Sequence, residues 1–352
     1  MTSRLDRRAG ALVGLAIGDA VGWPAVRHRS GLLPPWTRRL HRELDTFAEA
    51  QDVTTLPVPF ALNQSTAPLR LGPSDDAEWV AWTVTGLLGA GSPDGPIGRS
   101  DVHGRWRDAA TAGAVPRGRI SVATAVDALR RDIDPPQTGH DNPHHFDDAA
   151  AVRAVGIGLV ATDPPQAARL AAWDAEVTNA GDGLAAARVM AETVSRLVAG
   201  ESLATAWASA AAGLPADGLL AATVRRALAA TADAHSPADA IPLLDELVDH
   251  VYSYGVAAAQ TLPVAVALAH VAERTGGRPV DAVTAAACLP TLADSAPALT
   301  GALTGASGGV MSLPAAWEER CRVLAGCCAP GLAGTDLVDL ASRIEERTIR
   351  DQ

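Results

Sequence analysis

Residues 10–24 read GALVGLAIGDAVGWP, and their apolar side chains recur at the spacing of an α-helix from about Leu12. This pattern predicts a buried first helix that runs to a break at Gly18-Asp19-Ala20. Basic residues precede the apolar stretch, as in a signal peptide, but the stretch is short and contains Asp19. Since no run of about 18 apolar residues occurs elsewhere, we expect a soluble, cytoplasmic protein.

The rest of the chain is dominated by alanine-rich stretches with high helix propensity, such as AAARVMAETVSRLVAG at 185–200. Residues 23–73 are proline-rich and irregular, which predicts a long functional loop. We find no convincing strand pattern, fixed-period repeat or linker. The expected fold is all-α, a single orthogonal multihelical bundle over residues 1–352. Further helices are predicted at about 75–88, 119–131, 149–161, 165–176, 183–199, 203–212, 219–232, 237–251, 256–274, 280–288, 296–306, 314–324 and 334–346.

Composition excludes several classes of function. The formal net charge of -11 argues against nucleic acid and anionic membranes as partners, because both require a basic surface. Every basic residue is arginine, and the absence of lysine excludes Schiff-base chemistry and a lysine-containing phosphate loop. The cysteines lack the spacing of a zinc site, and we expect them to be reduced thiols in the core. They are Cys288, Cys321, Cys327 and Cys328.

Two acidic clusters lie about two hundred residues apart, Ser74-Asp75-Asp76 in GPSDDAEW and Asp294-Ser295 in LADSAPALTGALTG. Each cluster precedes a predicted helix, where anions are tolerated best. Their carboxylate and hydroxyl oxygens are the hard ligands that Mg²⁺ or Mn²⁺ takes, so they form a metal site if the fold brings them together. The alternative is that each cluster is a helix N-cap, a common role of Ser and Asp.

Four segments, in order, resemble the ADP-ribosylglycohydrolase family: GALVGLAIGDAVGWP, SDDAEW, AAVRAVGIGLV and TLPVAVALA. This family includes dinitrogenase-reductase-activating glycohydrolases and hydrolases of ADP-ribosylarginine and ADP-ribosylserine. The resemblance implies the all-α bundle of that family, with two Mg²⁺ or Mn²⁺ ions between its acidic motifs. It also implies hydrolysis of the anomeric bond of an ADP-ribosyl group carried by a protein or a small ribosylated molecule.

The resemblance assigns Ser74, Asp75 and Asp76 to the first ligand set, and Asp294 and Ser295 to the second. Asp294 aligns with either the first or the second acid of the last motif. The spacing of the following small-residue helix favours the second alignment, which puts Leu292 in place of one acidic ligand. One ion site is then well formed and the other is impaired. Asp75 and Asp76 are also the expected catalytic carboxylates.

Several positions depart from the family pattern. Val26 stands where members carry a glutamate, and Glu43 or Asp45 is expected to replace it as a catalytic carboxylate. Asp147-Asp148-Ala149 replaces a Gly-Asn-Gly sequence, and Asn179 replaces a histidine. Asp19 lies behind the metal ligands or caps a helix. The expected substrate-binding residues are Asp19, Asp147, Asp148 and Asn179.

These departures leave two alternatives open: a hydrolase of a smaller N-riboside or nucleoside, and a non-catalytic ADP-ribose-binding protein. Other polar and aromatic residues are interpreted structurally. We expect Arg153 to pair with a carboxylate inside the bundle. Trp79 and Trp82, three residues apart on one helix, are expected in the core. His144 and His145 are expected on a solvated loop.

Overall fold

The computed structural model describes residues 2–22, 39, 43, 46–52, 69, 72–89, 97–250 and 255–350. Within these residues every regular element is a helix, which confirms the all-α prediction. Val26 and Asp45 lie outside the described residues. The α-helices are α1 (Arg4–Gly22), α2 (Asp75–Gly89), α3 (Arg99–Ala112), α4 (Ile120–Arg130), α5 (Gln137–His140), α6 (Ala149–Val160), α7 (Pro164–Thr178), α8 (Gly181–Ala199), α9 (Leu203–Ala211), α10 (Leu219–Ala230), α11 (Pro237–Asp245), α12 (Ala258–Thr275), α13 (Pro279–Ala287), α14 (Ala296–Gly308), α15 (Ala315–Cys321) and α16 (Leu337–Arg350).

Several predicted helix boundaries were wrong, among them both ends of α16, which was predicted at 334–346 and spans Leu337–Arg350, and the start of α1, which is at Arg4 rather than near Leu12. Helix α1 does not break at Gly18 but continues to Gly22. Helix α11 ends at Asp245 rather than near residue 251. Helix α15 ends at Cys321, three residues before the predicted end. Helix α3 was not predicted at all, because its sequence RSDVHGRWRDAATA is mostly polar and interrupted by a glycine.

Helices α1 and α14 are in direct backbone contact. A Cβ atom added at Gly14 would lie 2.2 Å from the carbonyl oxygen of Gly301, and one added at Gly301 would lie 1.9 Å from that of Gly14. Gly18 meets the carbonyl oxygen of Pro297 in the same way, at 2.0 Å. Only glycine allows so close an approach. The contact therefore places the end of α1, with Asp19, beside the N-terminus of α14.

Replacing Gly301 by alanine is expected to lower the free energy of unfolding by about 2–3 kcal/mol, because the new methyl group must push two helices apart. Urea unfolding followed by circular dichroism measures this loss. Gly104 in α3 is the matched control, since a Cβ there meets nothing within 4 Å. Gly104→Ala is expected to leave stability unchanged or raise it by about 0.5–1 kcal/mol. Equal effects at the two positions would contradict the close packing of α1 on α14.

The core contains an aromatic cluster beside α2. The rings of Trp79 and Trp82 meet edge to face at 5.6 Å, and the ring of Trp106 lies 5.0 Å from that of Trp82. Trp79 is 2% exposed, so its predicted place in the core is confirmed. All four cysteines are free thiols, but Cys321 alone of them is buried, and the prediction that all lie in the core was wrong. In the described part of the chain, no helix has the length and apolar character needed to cross a membrane.

Candidate active site

Asp19 fixes the start of α2 from the neighbouring helix α1. Its Oδ2 atom accepts hydrogen bonds from the backbone N–H groups of Ser74 (2.8 Å) and Ala77 (3.1 Å). Its Oδ1 atom accepts one from the Ser74 hydroxyl, also at 2.8 Å. These bonds satisfy N–H groups that have no partner within the helix. Asp19 is fully buried and caps α2, which agrees with the predicted alternative that it caps a helix.

Arg119, at the N-terminus of α4, joins the two acidic clusters. Its Nη2 atom donates hydrogen bonds to Asp76 Oδ1 at 2.7 Å and to the Ser295 hydroxyl at 2.5 Å. Its Nη1 atom donates to Asp294 Oδ2 at 2.5 Å. Two more carboxylates lie nearby: Asp148 Oδ1 is 3.5 Å from Nη1, and Asp75 Oδ2 is 3.7 Å from Nε. The fold therefore brings the predicted clusters together, around a guanidinium group.

The cluster is almost completely shielded from solvent. Arg119 is 6% exposed, and the four surrounding aspartates are between 0% and 5% exposed. Burial alone would lower the pKa of Arg119, but the carboxylates of Asp294, Asp76, Asp148 and Asp75 raise it well above its ordinary value. Arg119 is therefore a permanent cation inside the site.

Asp148 is the predicted substrate-binding residue that the structure places in this cluster. Burial, together with the charges of Asp147 and Asp294, raises the pKa of Asp148 to about 8 against the lowering effect of Arg119. Its Oδ1 atom also lies 3.5 Å from the Ser295 hydroxyl, which links the start of α6 to that of α14.

Asp147 and Asn179, also predicted to bind substrate, form an internal network. The Asn179 side-chain amide donates hydrogen bonds to Asp147 Oδ1 at 2.9 Å and to the carbonyl oxygens of Asp147 and His145. The Asn179 side-chain oxygen accepts from the Thr178 hydroxyl at 2.6 Å. Asp147 is 2% and Asn179 is 1% exposed. Both residues hold the chain ahead of α6 in place through these bonds.

Arg153 on α6 pairs with a carboxylate inside the bundle, as the sequence predicted. Its Nε atom donates to Asp174 Oδ2 at 2.7 Å, and its Nη2 atom donates to the Thr178 hydroxyl at 2.8 Å. Asp174 Oδ1 also accepts from Arg105 at 3.1 Å and from the Trp106 indole at 2.8 Å. Arg153 therefore orients α6, the helix that follows Asp148.

Glu78 holds a second loop against α2. Its carboxylate accepts three backbone hydrogen bonds of 2.7 Å, from the N–H groups of Cys327, Cys328 and Ala329. Glu78, Cys327 and Cys328 also bring metal-binding atom types within 4.8 Å of one another. Both Glu78 oxygens already accept these backbone hydrogen bonds, and the contact with Cys328 and burial raise the pKa of Cys327 well above its ordinary value. We therefore interpret this group as an anchor of the loop.

Glu43 is not brought to the cluster. Its side chain is 66% exposed, and its Oε1 atom lies 3.7 Å from Nε of Arg39. Glu43 lies within the long irregular stretch of residues 23–73, where sequence alone gives no contact pattern. Its predicted catalytic role has no support from its position.

Two open clefts lie along the segment that leads to Arg119, and Arg119 itself lines the first of them. One, of about 390 Å³, is lined by residues 113–119 and by one face of α4, and includes Arg117, Arg119 and Arg130. The other, of about 620 Å³, shares Arg117 and adds Trp82 and residues 327–332. Volumes of this order hold small organic ligands. Arg117 and Arg130 are exposed in this cleft, so in an acidic protein they make a local surface that favours an anion, whereas the charge of Arg119 is already met by the buried aspartates.

The acidic oxygens together with Arg119 do not fit a divalent cation. Mg²⁺ requires nearly octahedral oxygen ligands at about 2.0–2.1 Å. The converging oxygens of Asp76, Asp294 and Ser295 instead accept hydrogen bonds from one guanidinium. An ion among these oxygens would lie against a fixed charge of the same sign. Leu292, at the place of the missing acidic ligand, is fully buried in the core.

The model of the ADP-ribosylglycohydrolase family matches residues 1–352. The chain belongs to this family. A solved structure described as an ADP-ribosylglycohydrolase-related protein complex is similar to it, with a TM-score of 0.59 and 18% sequence identity. That likeness covers 99% of this chain and 100% of the other, and it supports the family fold. The search of curated proteins found no match.

Family membership gives a coarse functional assignment. Its members are generally hydrolytic, generally metal-dependent and act on ADP-ribosylated substrates, which supports a glycohydrolase of ADP-ribosyl groups. Sequence reasoning named every carboxylate of the cluster but missed Arg119. One signal was present: a basic residue at a helix N-terminus is disfavoured by the helix dipole, so its side chain must be held elsewhere.

Proposed function

We propose that this protein is a glycohydrolase that cleaves the anomeric bond of an ADP-ribosyl group attached to a protein side chain or a small molecule. The observation that carries the proposal is the convergence of Asp75, Asp76, Asp148 and Asp294 in one buried cluster next to an arginine-lined cleft. The cleft suits the diphosphate of an ADP-ribosyl group because its arginines attract anions.

The cluster suits the chemistry of anomeric cleavage. The leaving group departs from an oxocarbenium-like centre, and an excess of carboxylates over guanidinium groups stabilises the positive charge that develops there. A carboxylate can take a proton from the attacking water. We assign this role to Asp75, one of the carboxylates that the sequence predicts as catalytic, whose Oδ2 atom lies 3.7 Å from Arg119 Nε.

Mg²⁺ or Mn²⁺ as a cofactor stays a prediction from the sequence, and no step of this proposal passes through an ion. A second candidate function is ADP-ribose binding without hydrolysis. It is favoured by Arg119, which engages oxygens of Asp76 and Asp294 that would otherwise be available to water or substrate.

The test is an assay of ADP-ribosylarginine peptide, ADP-ribosylserine peptide and a panel of nucleosides, in Mg²⁺, in Mn²⁺ and in EDTA. We expect release of ADP-ribose, detected by liquid chromatography, from at least one peptide. Release from nucleosides alone would support the smaller N-riboside as substrate. Calorimetric binding of ADP-ribose without any turnover would support the non-catalytic function and overturn the hydrolase.

A further inference from the structure

We propose that Arg119 is a built-in cation that takes the place of a divalent metal ion, so that the acidic cluster works without binding Mg²⁺ or Mn²⁺. This role of Arg119 concerns the site of the proposed function, and only the expectation that turnover persists in EDTA rests on that function. It would hold equally for a protein that binds ADP-ribose without cleaving it.

Every nitrogen of the Arg119 guanidinium faces an acidic or hydroxyl oxygen. Nη2 bonds Asp76 and Ser295, Nη1 bonds Asp294, and Nε faces Asp75 at 3.7 Å. Four of the five residues predicted as metal ligands therefore contact one side chain. The fifth, Ser74, lies in the same shell, with its hydroxyl bonded to Asp19 and 3.3 Å from Asp75 Oδ1.

The backbone conformation just before Arg119 places its side chain in the cluster. Gly118 has a φ of +133°, a conformation that favours glycine, and a Cβ there would lie 3.0 Å from Asp75 Oδ2. The preceding Arg117 donates its backbone N–H to the carbonyl oxygen of Cys328 at 3.2 Å. Cys328 is itself bound through its backbone N–H to Glu78 of α2. The helix that begins with Asp75 thus also anchors the segment that inserts Arg119.

The positive charge of Arg119 disfavours binding of a second cation in the acidic cluster. An arginine guanidinium keeps its charge at any physiological pH, and in a buried site solvent screens its repulsion of a second cation poorly. A divalent ion would have to displace Arg119 from its partners or share them with it. We therefore expect the guanidinium to lower the affinity of the cluster for Mn²⁺ by at least about 100-fold.

The experiment is a titration with Mn²⁺, followed by electron paramagnetic resonance of the free ion, without substrate. The full-length protein is expected to show no site at the cluster at Mn²⁺ concentrations up to the millimolar range. Arg119→Ala is expected to gain one site, at least about 100-fold tighter, and to lose it again in the double variant with Asp294→Asn. A site in the unaltered protein that disappears in Asp294→Asn would overturn the proposal.

Arg119→Ala leaves buried carboxylates without their cation and can fail to fold. Purification in the presence and absence of Mn²⁺ covers this case, since recovery of folded protein with Mn²⁺ alone shows the ion replacing the side chain. If Arg119→Ala folds and gains no Mn²⁺ site, the proposal is wrong. Any turnover of the unaltered protein should persist in EDTA, whereas the absence of all turnover counts against the hydrolase and leaves the titration unaffected.

Discussion

Replacing Asp174 by asparagine is expected to lower the free energy of unfolding by about 3–5 kcal/mol at pH 7, the range for breaking a buried ion pair. Asp174 is 2% exposed, and its carboxylate is bound to Arg153, Arg105 and the Trp106 indole. Asparagine keeps the shape and one acceptor oxygen but removes the charge. The fully buried guanidinium of Arg153 would then lack its ionic partner.

The loss should depend on pH in a defined direction. Burial would raise the pKa of Asp174, but the charges of Arg153 and Arg105 and the hydrogen bonds from Arg153 and Trp106 outweigh it and hold the pKa below its ordinary value. A lowered folded-state pKa means that the stabilisation is complete above the unfolded pKa, about 3.9, and is lost as the pH falls through the folded value. The difference between the two proteins should therefore be constant from pH 5 to 8 and shrink below about pH 4.

Urea unfolding at several pH values measures this difference. Asp127→Asn is the matched control, because Asp127 pairs with Arg131 on the surface of α4 and its side chain is 71% exposed. The control should change stability by less than about 1 kcal/mol. A loss at Asp174 as small as that at Asp127, or one that is the same at pH 3.5 and pH 7, would contradict the role of this buried pair.

Local patterns predicted most of the fold. Alanine-rich segments with helical periodicity predicted nearly every helix, because helix propensity and the apolar face of a helix both depend only on residues within that helix. Two failures have the same cause. Helix α1 was expected to break at Gly18, yet Gly18 is helical because it lies against the backbone of Pro297. Helix α3 was missed because its helical state depends on the packing of a few residues, among them Trp106. Contacts between helices therefore determine both the continuation of α1 and the formation of α3.

The candidate site was also predicted only in part: its aspartates were expected, and its arginine was not. Motif order made it possible to expect Asp75, Asp76 and Asp294 in one place, and the structure brings them together. Arg119 belongs to no motif, and a sequence does not show which distant carboxylates a side chain will reach. Asp147 and Asn179 were expected to bind substrate because they differ from the family pattern. The structure gives them hydrogen bonds to each other, a contact that the sequence pattern did not indicate.

The two buried charge networks are differently balanced. Around Asp174, one carboxylate meets two guanidinium groups and an indole, so all its oxygens are engaged by cations or donors. Around Arg119, four carboxyl groups meet one guanidinium. A network of the first kind stabilises a bundle. The second keeps an excess of acidic oxygens, which is the property that a site acting on a developing positive charge requires.

The largest expected effect on activity is that of Asp75→Asn. If Asp75 removes a proton from the attacking water, the variant should lose about 10²–10⁴-fold in kcat with KM nearly unchanged, because general-base catalysis contributes factors of this size. Folding should survive, since the variant removes one negative charge from four carboxyl groups that surround a single guanidinium. Release of ADP-ribose from the best substrate of the unaltered protein measures the loss.

A pH profile separates proton transfer from a merely structural role. In the unaltered protein the rate should rise with pH through the titration of the base, and in Asp75→Asn that dependence should disappear. Asp127→Asn, changed in the same way on the surface of α4, should keep the full rate and the original profile. Asp76→Asn provides the second comparison, since Asp76 accepts a 2.7 Å hydrogen bond from Arg119 and its loss should also loosen that side chain. An Asp75→Asn protein that retains its rate within about threefold would assign the base to another carboxylate, because a factor of three is far below what a general base contributes.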